Sequence, residues 1–307
     1  MSATATPRSA VRLAACAICG GKLGRELLAI DKPDRFERHL GVAEPGYLRR
    51  WVECAACGTA TNVHPTGVRE RLESITAGYY EVDFKDSSIG EKFAWVMGLP
   101  PERSDNAQRV ERIVEFLRRW REATRLGVDG ILRLLDIGAG TGVFLARFLE
   151  RAAATGWRCE ATAVEPDPHA AAHLRSLGRF NVVEALFARG AVAGTFDLCT
   201  LNKIVEHVAE PLPLLREAAT VLRPDGGLLY VEVPDKETAF HRPPSDNILG
   251  ALHRHLYTLA GVTAVLERAG LHPLRVERCY EPSGKISIAA FAVAGAARER
   301  LAAAHRS

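Results

Sequence analysis

Residues 134–142 read LLDIGAGTG, and this stretch decides the fold class. It closes an apolar, strand-like run over 131–137 and opens a helix-like run over 143–154. Glycines at this spacing are needed where a chain turns tightly and a ligand approaches the backbone. Asp136 lies inside the end of the strand-like run, where a buried charge is costly unless it is paired or solvated. A ligand ammonium would supply that pairing, so the stretch predicts a ligand site. An ordinary tight turn with a capped aspartate is the alternative.

A second acidic residue lies at the predicted carboxyl end of the next strand. Glu165 comes 23 residues after Gly142 and directly before Pro166. A carboxylate at this position can accept hydrogen bonds from both hydroxyls of a ribose, and it disfavours a 2′-phosphate. We therefore predict a nucleoside-containing ligand, with a solvated strand-end charge as the alternative.

The residues around the glycine turn alternate between strand-like and helix-like patterns. Strand-like runs cover 131–137, 158–164, 181–183, 196–201 and 227–233, and helix-like runs cover 143–154, 168–177 and 212–222. This order predicts an α/β fold with a mainly parallel, doubly wound sheet. A helix over about 258–269 and two strands, 271–279 and 285–293, follow. The short gap between these two strands predicts that they pair antiparallel.

Length and composition describe a globular chain with a substantial core. Of the 307 residues, 47% are hydrophobic and 25% are charged, which excludes a disordered or low-complexity chain. The net charge of +3 gives little support to a nucleic-acid partner, since phosphate binding needs a local excess of positive charge. No run approaches the ~18 apolar residues of a membrane span, and Arg12 interrupts the apolar stretch 10–15, which argues against a secretory signal. We expect a cytoplasmic protein with reduced thiols.

Seven cysteines are the unusual feature of the composition. Four of them form two Cys-x-x-Cys pairs, each followed by glycine: Cys16 with Cys19, and Cys54 with Cys57. Two such pairs can supply four thiolates to a tetrahedral zinc ion in a closed structural site. The 34 residues between the pairs then form a long inserted loop or hairpin. Redox-active pairs and an iron–sulfur cluster are the alternatives. The three remaining cysteines fall on predicted strands and are interpreted as small buried hydrophobes.

Three motifs together resemble those of the class I S-adenosylmethionine-dependent methyltransferases. The glycine turn matches the family pattern L-D-I-G-x-G-x-G. Residues 196–208, FDLCTLNKIVEHV, and 221–234, VLRPDGGLLYVEVP, are similar to the motifs that follow it. A dinucleotide-dependent dehydrogenase is the competing interpretation, but its fingerprint is G-x-G-x-x-G, and here the third glycine comes one residue early. The resemblance covers about 127–293 and implies a seven-stranded Rossmann-like sheet that binds S-adenosylmethionine.

The resemblance also implies roles for individual residues. The methionine end of the cofactor would lie against the glycine turn, with Asp136 nearby, and the ribose hydroxyls would bind Glu165. The segment after the third strand would border the adenine, and the segment after the fourth strand would border the methionine and its methyl group. The residues implied in cofactor binding are Asp136, Gly138, Gly140, Gly142, Glu165, Glu184, Ala185, Asn202 and Ile204.

Methyl transfer asks the protein to align an acceptor and exclude water, and a hydroxyl or carbon acceptor also benefits from a base. His207, just beyond the fourth strand, is the first candidate base; in the alternative it only hydrogen-bonds backbone or cofactor. Glu232, at the end of the fifth strand, and His255, in the segment before the late helix, are further catalytic candidates. Arg254 stands where the family often has a glutamate.

Cysteine knuckles before such a core resemble the zinc-containing methyltransferases that act on nucleotide-linked sugars and related natural-product or polysaccharide intermediates. That resemblance implies a small-molecule acceptor. Residues 79–84, YYEVDF, replace the group's Tyr-Pro-Tyr run, and the chain ends soon after the sheet, where C-methylating members carry a further domain. We therefore expect O- or N-methylation in preference to C-methylation. Tyr79 and Tyr80 either cover the acceptor or pack as ordinary aromatic residues.

Three segments are predicted: a zinc-ribbon-like module over 1–66, a helical cap or linker over 67–126 and a methyltransferase core over 127–307. The cap includes a helix from Ser104 or Asp105 to about Leu126. Two other functions stay open at this point: an RNA methyltransferase whose zinc module binds RNA, and a non-catalytic scaffold that binds the cofactor. The sequence predicts no membrane partner and indicates no oligomeric state.

Overall fold

The computed structural model describes residues 15–73, 87–124 and 130–295. Tyr79 and Tyr80 lie outside the described residues, as does the C-terminal tail after 295. Within these ranges, seven strands form one sheet and four strands form a second. The helices of the same ranges include none that is long and apolar enough to cross a membrane.

The N-terminal half alternates short strands and helices. Its elements are β1 (Leu23–Ile30), α1 (Arg35–His39), β2 (Arg49–Cys54), β3 (Ala60–Val63), α2 (Val68–Glu73), α3 (Ile89–Met97) and α4 (Asp105–Thr124). The last of these confirms the helix predicted from Ser104 or Asp105, and the structure describes it as far as Thr124.

The C-terminal half begins with the alternation that the sequence predicts. Its elements are β4 (Ile131–Ile137), α5 (Val143–Ala154), β5 (Arg158–Val164), α6 (Pro168–Ser176), β6 (Asn181–Val183), β7 (Leu198–Asn202), α7 (Pro211–Thr220) and β8 (Leu228–Pro234). It ends with α8 (Lys236–Ala239), β9 (His255–Leu256), α9 (Leu259–Arg268), β10 (Leu271–Tyr280) and β11 (Ile286–Ala294). A 3-10 turn, Val205–His207, follows β7.

The predicted doubly wound α/β sheet is confirmed. Its strand order is β10-β11-β8-β7-β4-β5-β6, and the strands from β8 to β6 are parallel. The predicted antiparallel end pair is β10 with β11, which pair from Leu271↔Ala294 to Tyr280↔Ile286 with a shift of register between Pro273 and Arg275. β7 begins at Leu198, two residues later than predicted, because Phe196 forms only an isolated bridge with Leu222.

Helices cover both faces of this sheet, as the doubly wound topology requires. On one face, α4 and α5 bury apolar side chains such as Ile113 and Phe148 against the strands. On the other face, α7 and α9 do the same with Leu215 and Leu266. Because both faces are covered, the carboxyl edge of the parallel strands is where a ligand can reach the core.

The second sheet, with order β1-β2-β3-β9, joins the N-terminal segment to the core. Its fourth strand, β9, comes from the C-terminal half, where His255 pairs with Thr61 and Leu256 pairs with Ala60. The division at residues 66 and 126 stays a prediction, and this N-terminal sheet takes its fourth strand from the third predicted segment. The sequence pattern does not indicate this strand because two residues show no periodicity.

A buried ion pair anchors α4 to the sheet. Glu232 in β8 accepts from Arg109 Nη2 at 2.5 Å, from Arg112 Nη1 at 3.0 Å and from Tyr230 Oη at 2.5 Å. Burial alone raises the pKa of Glu232, but the charges of Arg109 and Lys203 outweigh it and hold the pKa well below its usual range. Glu232 is therefore an ionised structural anchor that fixes the helix to the strand.

Replacing Glu232 by alanine leaves the Arg109 charge buried without its carboxylate. We expect Glu232→Ala to lower the free energy of unfolding by about 3–5 kcal/mol, measured by urea denaturation. The control is Glu115→Ala in α4, the helix that carries Arg109. This change removes an exposed ion pair with Arg119 and should lower the free energy of unfolding by at most about 0.5 kcal/mol. Equal losses in both variants would contradict the anchoring role.

Candidate functional site

A cavity of about 1150 Å³ opens at the carboxyl edge of the parallel strands. Its walls include the glycine turn after β4, the end of β5 and the turn after β7, all at the edge where ligands bind in open α/β sheets. The predicted residues that line it are Asp136, Gly138, Gly140, Glu165, Ala185, Asn202, Ile204 and His207. The structure thus brings most of the sequence-predicted cofactor residues together around one space.

The glycine turn is shaped as much by the protein's own packing as by ligand approach. The backbone φ angles of Gly138, Gly140 and Gly142 are +73°, +56° and +78°, values that residues other than glycine rarely adopt. A Cβ on Gly138 would collide with Ile204 Cδ1, and one on Gly142 would lie 2.6 Å from Leu174 Cδ2. Two of the three glycines are therefore needed for internal packing, whatever ligand the cavity holds.

Asp136 is a buried carboxylate at one wall of the cavity. Its Oδ1 accepts from Thr200 Oγ1 at 2.6 Å and from Asn202 Nδ2 at 2.9 Å. Burial raises the pKa of Asp136 to about 7, although these two hydrogen bonds oppose the shift. Asn202 Oδ1 is also buried and has no hydrogen-bond partner among the described residues. This wall can accept hydrogen bonds from a cationic ligand group such as an ammonium.

Glu165 and Asp167 form a second polar wall. Glu165 accepts from the backbone N–H of Gly140 at 2.8 Å and of Asp167 at 3.0 Å, and burial raises its pKa. Asp167 caps α6 with one oxygen, while its buried Oδ2 has no partner in the described part of the chain. Each of these carboxylates retains acceptor capacity toward ligand hydroxyls. Asp167 is not among the residues predicted to bind the cofactor, although its place before Pro168 is typical of a helix cap.

The segment after β6 contributes apolar surface. Ala185, Leu186 and Phe187 line the cavity, and Leu186 is 67% exposed. Glu184 does not line it; its carboxylate forms an ion pair with Arg175 at 2.7 Å on the exposed side of the segment. An apolar surface at this position suits a flat ring such as adenine.

His207 lines the cavity from the 3-10 turn after β7. Its Nδ1 lies 3.2 Å from the carbonyl oxygen of Leu252, so Nδ1 carries the proton and the lone pair is on Nε2. Burial lowers the pKa of His207 to about 4, and the neutral ring is therefore the form present near neutral pH. The catalytic role of His207 stays a prediction.

Two other catalytic candidates do not line the cavity. Glu232 is enclosed by arginines and a tyrosine, as described above, and its low pKa makes it a poor base. His255 is buried in β9, where Nε2 contacts the carbonyl oxygen of Ala209 at 2.9 Å and Nδ1 contacts Thr61 Oγ1 at 3.4 Å. Hydrogen bonds within the protein occupy the polar atoms of Glu232 and His255. The predicted contact of these two residues with a substrate therefore does not agree with their positions in the structure.

The four paired cysteines converge at the N-terminal sheet. Their four sulfur atoms lie within 4.8 Å of one another. Cys16 Sγ is 3.9 Å from Cys57 Sγ, and Cys19 Sγ is 3.4 Å from Cys54 Sγ. Sulfurs bound tetrahedrally at zinc–sulfur distances of about 2.3 Å would be about 3.8 Å apart. The donor set and the spacing therefore fit a tetrahedral metal ion.

Comparison with known proteins identifies a family match over this region. A protein-family model with the description "Methyltransferase domain" matches residues 102–276 of this chain. The chain is 36% identical over 132 residues to a ubiquinone biosynthesis O-methyltransferase of Parvibaculum lavamentivorans, which is 40% of this chain and 49% of that protein. It is 34% identical over 113 residues to an uncharacterized methyltransferase of Mycobacterium sp. (strain JLS), which is 35% of this chain and 40% of that protein. The chain spans about half the length of the curated relatives it matches.

A solved structure supports the same fold. The magnesium protoporphyrin IX methyltransferase of Synechocystis PCC 6803, with bound S-adenosylhomocysteine, superposes with a TM-score of 0.52. The superposition covers 72% of this chain and 99% of that one, with 12% sequence identity. At this identity the likeness shows the shared fold alone.

The raised pKa of Asp136 predicts pH-dependent ligand binding. Below about pH 7 this carboxyl is protonated in the free protein, so binding an ammonium has to release the proton. Affinity for S-adenosylhomocysteine, measured by calorimetry, should fall as the pH is lowered from about 8 to about 6, by at most about tenfold per unit below the pKa.

The control for this prediction is Asp136→Asn, which keeps the size of the side chain. It should bind more weakly than the unaltered protein at about pH 8 and show no such pH dependence. Equal affinity of the unaltered protein at both pH values would show that Asp136 does not contact the ligand cation.

Proposed function

The chain belongs to the methyltransferase domain family, and from this premise we propose that it transfers a methyl group from S-adenosylmethionine to a small-molecule acceptor. The observation that carries the proposal is the cavity at the carboxyl edge, where unpartnered polar atoms and an apolar segment meet. Its volume of about 1150 Å³ exceeds that of many single-ligand pockets, which leaves room for a cofactor and an acceptor together.

The residues of the cavity fit this cofactor. Asp136 and Asn202 would accept from the ammonium group, Glu165 and Asp167 from the ribose hydroxyls, and the segment after β6 would cover the adenine. When bound, S-adenosylmethionine supplies an activated methyl group, so the protein has no need to activate the donor. What remains for the chain is to orient the acceptor, exclude water and accept or direct a proton.

The rest of the cavity forms the proposed acceptor site. It is bordered by His207, Leu252 and the basic residues Arg69 and Arg254. A basic wall favours an acceptor with an acidic group, as nucleotide-linked sugars and related natural-product or polysaccharide intermediates have. We propose O- or N-methylation of such a compound, and the relative named as an O-methyltransferase favours oxygen as the acceptor atom.

RNA methylation and a non-catalytic scaffold are the competing functions. A net charge of +3 offers little attraction for a polyanion, and a gel shift with total RNA at two salt concentrations tests for it. Mass spectrometry of a metabolite pool incubated with methyl-labelled cofactor tests the proposed function. A labelled small molecule supports it, whereas tight cofactor binding without turnover would favour the scaffold.

We further propose that the four cysteines bind a structural zinc ion. Four thiolates form a closed site without an open position for substrate, and such sites stabilise small modules. Cys16, Cys54 and Cys57 share an apolar cluster with Val262 and Val265 of α9. Reduced thiols of this kind fit the predicted cytoplasmic location, which remains part of the proposal.

Loss of the zinc ion should loosen the N-terminal sheet. We expect Cys54→Ser to lower the zinc content, measured by elemental mass spectrometry, and to lower the melting temperature. Cys159→Ser is the matched control, because Cys159 lies in β5 outside the four-cysteine cluster. Full zinc content in Cys54→Ser would contradict this ligand set.

Removal of the imidazole at the cavity wall should affect turnover more than cofactor binding. We expect His207→Ala to lower kcat by about 10²-fold, with little change in affinity for S-adenosylhomocysteine. This is the lower end of the usual contribution of a positioned proton acceptor, because a pKa of about 4 makes the imidazole a weak base. Turnover assays and calorimetry measure the two quantities. Unchanged turnover would remove His207 from the mechanism.

A further inference from the structure

Glu206, His207 and His253 form a second cluster of metal-binding groups, separate from the cysteines. One nitrogen of each imidazole and one carboxylate oxygen lie within 4.8 Å of one another. Glu206 and His207 end the 3-10 turn after β7, and His253 lies two residues before β9. We propose that these three side chains bind a divalent first-row transition-metal ion beside the acceptor end of the cavity.

Both imidazoles use Nδ1 in a hydrogen bond to a backbone carbonyl oxygen. His207 Nδ1 lies 3.2 Å from the carbonyl oxygen of Leu252, and His253 Nδ1 lies 2.6 Å from that of Ile248. A metal-binding imidazole typically donates its other N–H to a carbonyl or carboxylate, which fixes the ring and its tautomer. Here the same arrangement leaves the lone pair of each ring on Nε2, and the two ring centroids are 4.6 Å apart.

The third group of the cluster, Glu206, is a buried acidic residue. The residue is fully buried, and neither carboxylate oxygen has a hydrogen-bond partner in the described part of the chain. The cations whose charges act on Glu206 make their ion pairs with other groups: Lys203 Nζ lies 2.8 Å from Glu281 Oε1, and Arg109 pairs with Glu232. Burying a carboxyl group in this way is costly, and a metal ion would remove the cost.

The N-terminal sheet holds the two halves of the cluster together. The backbone N–H of Arg254 donates to the carbonyl oxygen of Glu206 at 2.6 Å. Asn62 Nδ2 in β3 donates to the carbonyl oxygen of His253 at 2.8 Å. The ligands are therefore positioned by backbone contacts made before any metal binds, which reduces the entropy cost of binding.

Two imidazoles and one carboxylate suit manganese, iron, cobalt or zinc better than magnesium or calcium, which prefer oxygen ligands. Three protein ligands leave coordination positions for water or acceptor, and His207 lines the cavity. A role in methyl transfer rests on the proposed function. There the metal would lower the pKa of an acceptor hydroxyl, so that its proton could pass to water in the cavity while the oxygen takes the methyl group. His207 would then act as a metal ligand, and solvent would take the place of the base.

The test measures Mn²⁺ binding to the full chain by electron paramagnetic resonance. The protein carries one equivalent of zinc, which the four thiolates bind in preference to the histidines, so the second cluster stays open to Mn²⁺. Mn²⁺ disfavours thiolate ligands, so the signal reports the second cluster. We expect one bound Mn²⁺ per chain, with electron spin-echo modulation from imidazole nitrogen. Absence of binding, or binding without nitrogen coupling, overturns the proposal, and this measurement needs no variant.

Matched variants then identify the ligands. Glu206→Gln and His253→Gln should each weaken Mn²⁺ binding by at least about tenfold, whereas His241→Gln, at an exposed histidine, should not. Affinity for S-adenosylhomocysteine serves as the folding control. Variants that bind this ligand and still bind Mn²⁺ like the unaltered protein overturn the proposal. Because the Mn²⁺ readout does not require turnover, its failure is distinguishable from failure of the proposed methyl transfer.

Discussion

The antiparallel pairing of β3 with β9 is the contact on which the arrangement of the cavity depends. β9 has only two residues and could not persist as a strand without its neighbour. Its pairing with β3 fixes the segment directly before it. In that segment the backbone N–H of Arg254 donates to the carbonyl oxygen of Glu206 in the turn after β7. A sheet near the start of the chain therefore controls the geometry of a cavity in the C-terminal half.

Buried carboxylates at the edge of the core fall into two groups. Glu232 contacts arginines, and its pKa is held low, which is typical of a structural ion pair. In Asp136, Glu165 and Glu206, burial raises the pKa, because few opposite charges compensate for the loss of water. Perturbed groups of this second kind cluster at functional sites, and all three belong to the cavity wall or the turn beside it.

Several predictions from local pattern are confirmed because they depend on neighbours along the chain. The alternation of strands and helices, the antiparallel end pair and the helix after Ser104 each follow from periodicity and turn residues. The glycine turn was correctly located, but part of its explanation changes. Gly138 and Gly142 are constrained by Ile204 and Leu174, which are distant in sequence, so no local pattern could indicate that packing.

The order of residues along the chain is enough to predict the doubly wound α/β fold, the place of Asp136 and Glu165 at its carboxyl edge, and the two cysteine pairs. These features are encoded by spacing within short segments. Which polar residues line the cavity depends on the folded chain. Folding encloses Glu232 and His255 in hydrogen bonds away from the cavity. It also brings His253 next to His207 and Glu206, which precede it by 46 and 47 positions. The physical reason is that the contacts which satisfy or orphan a buried polar group form only when distant strands and loops pack together.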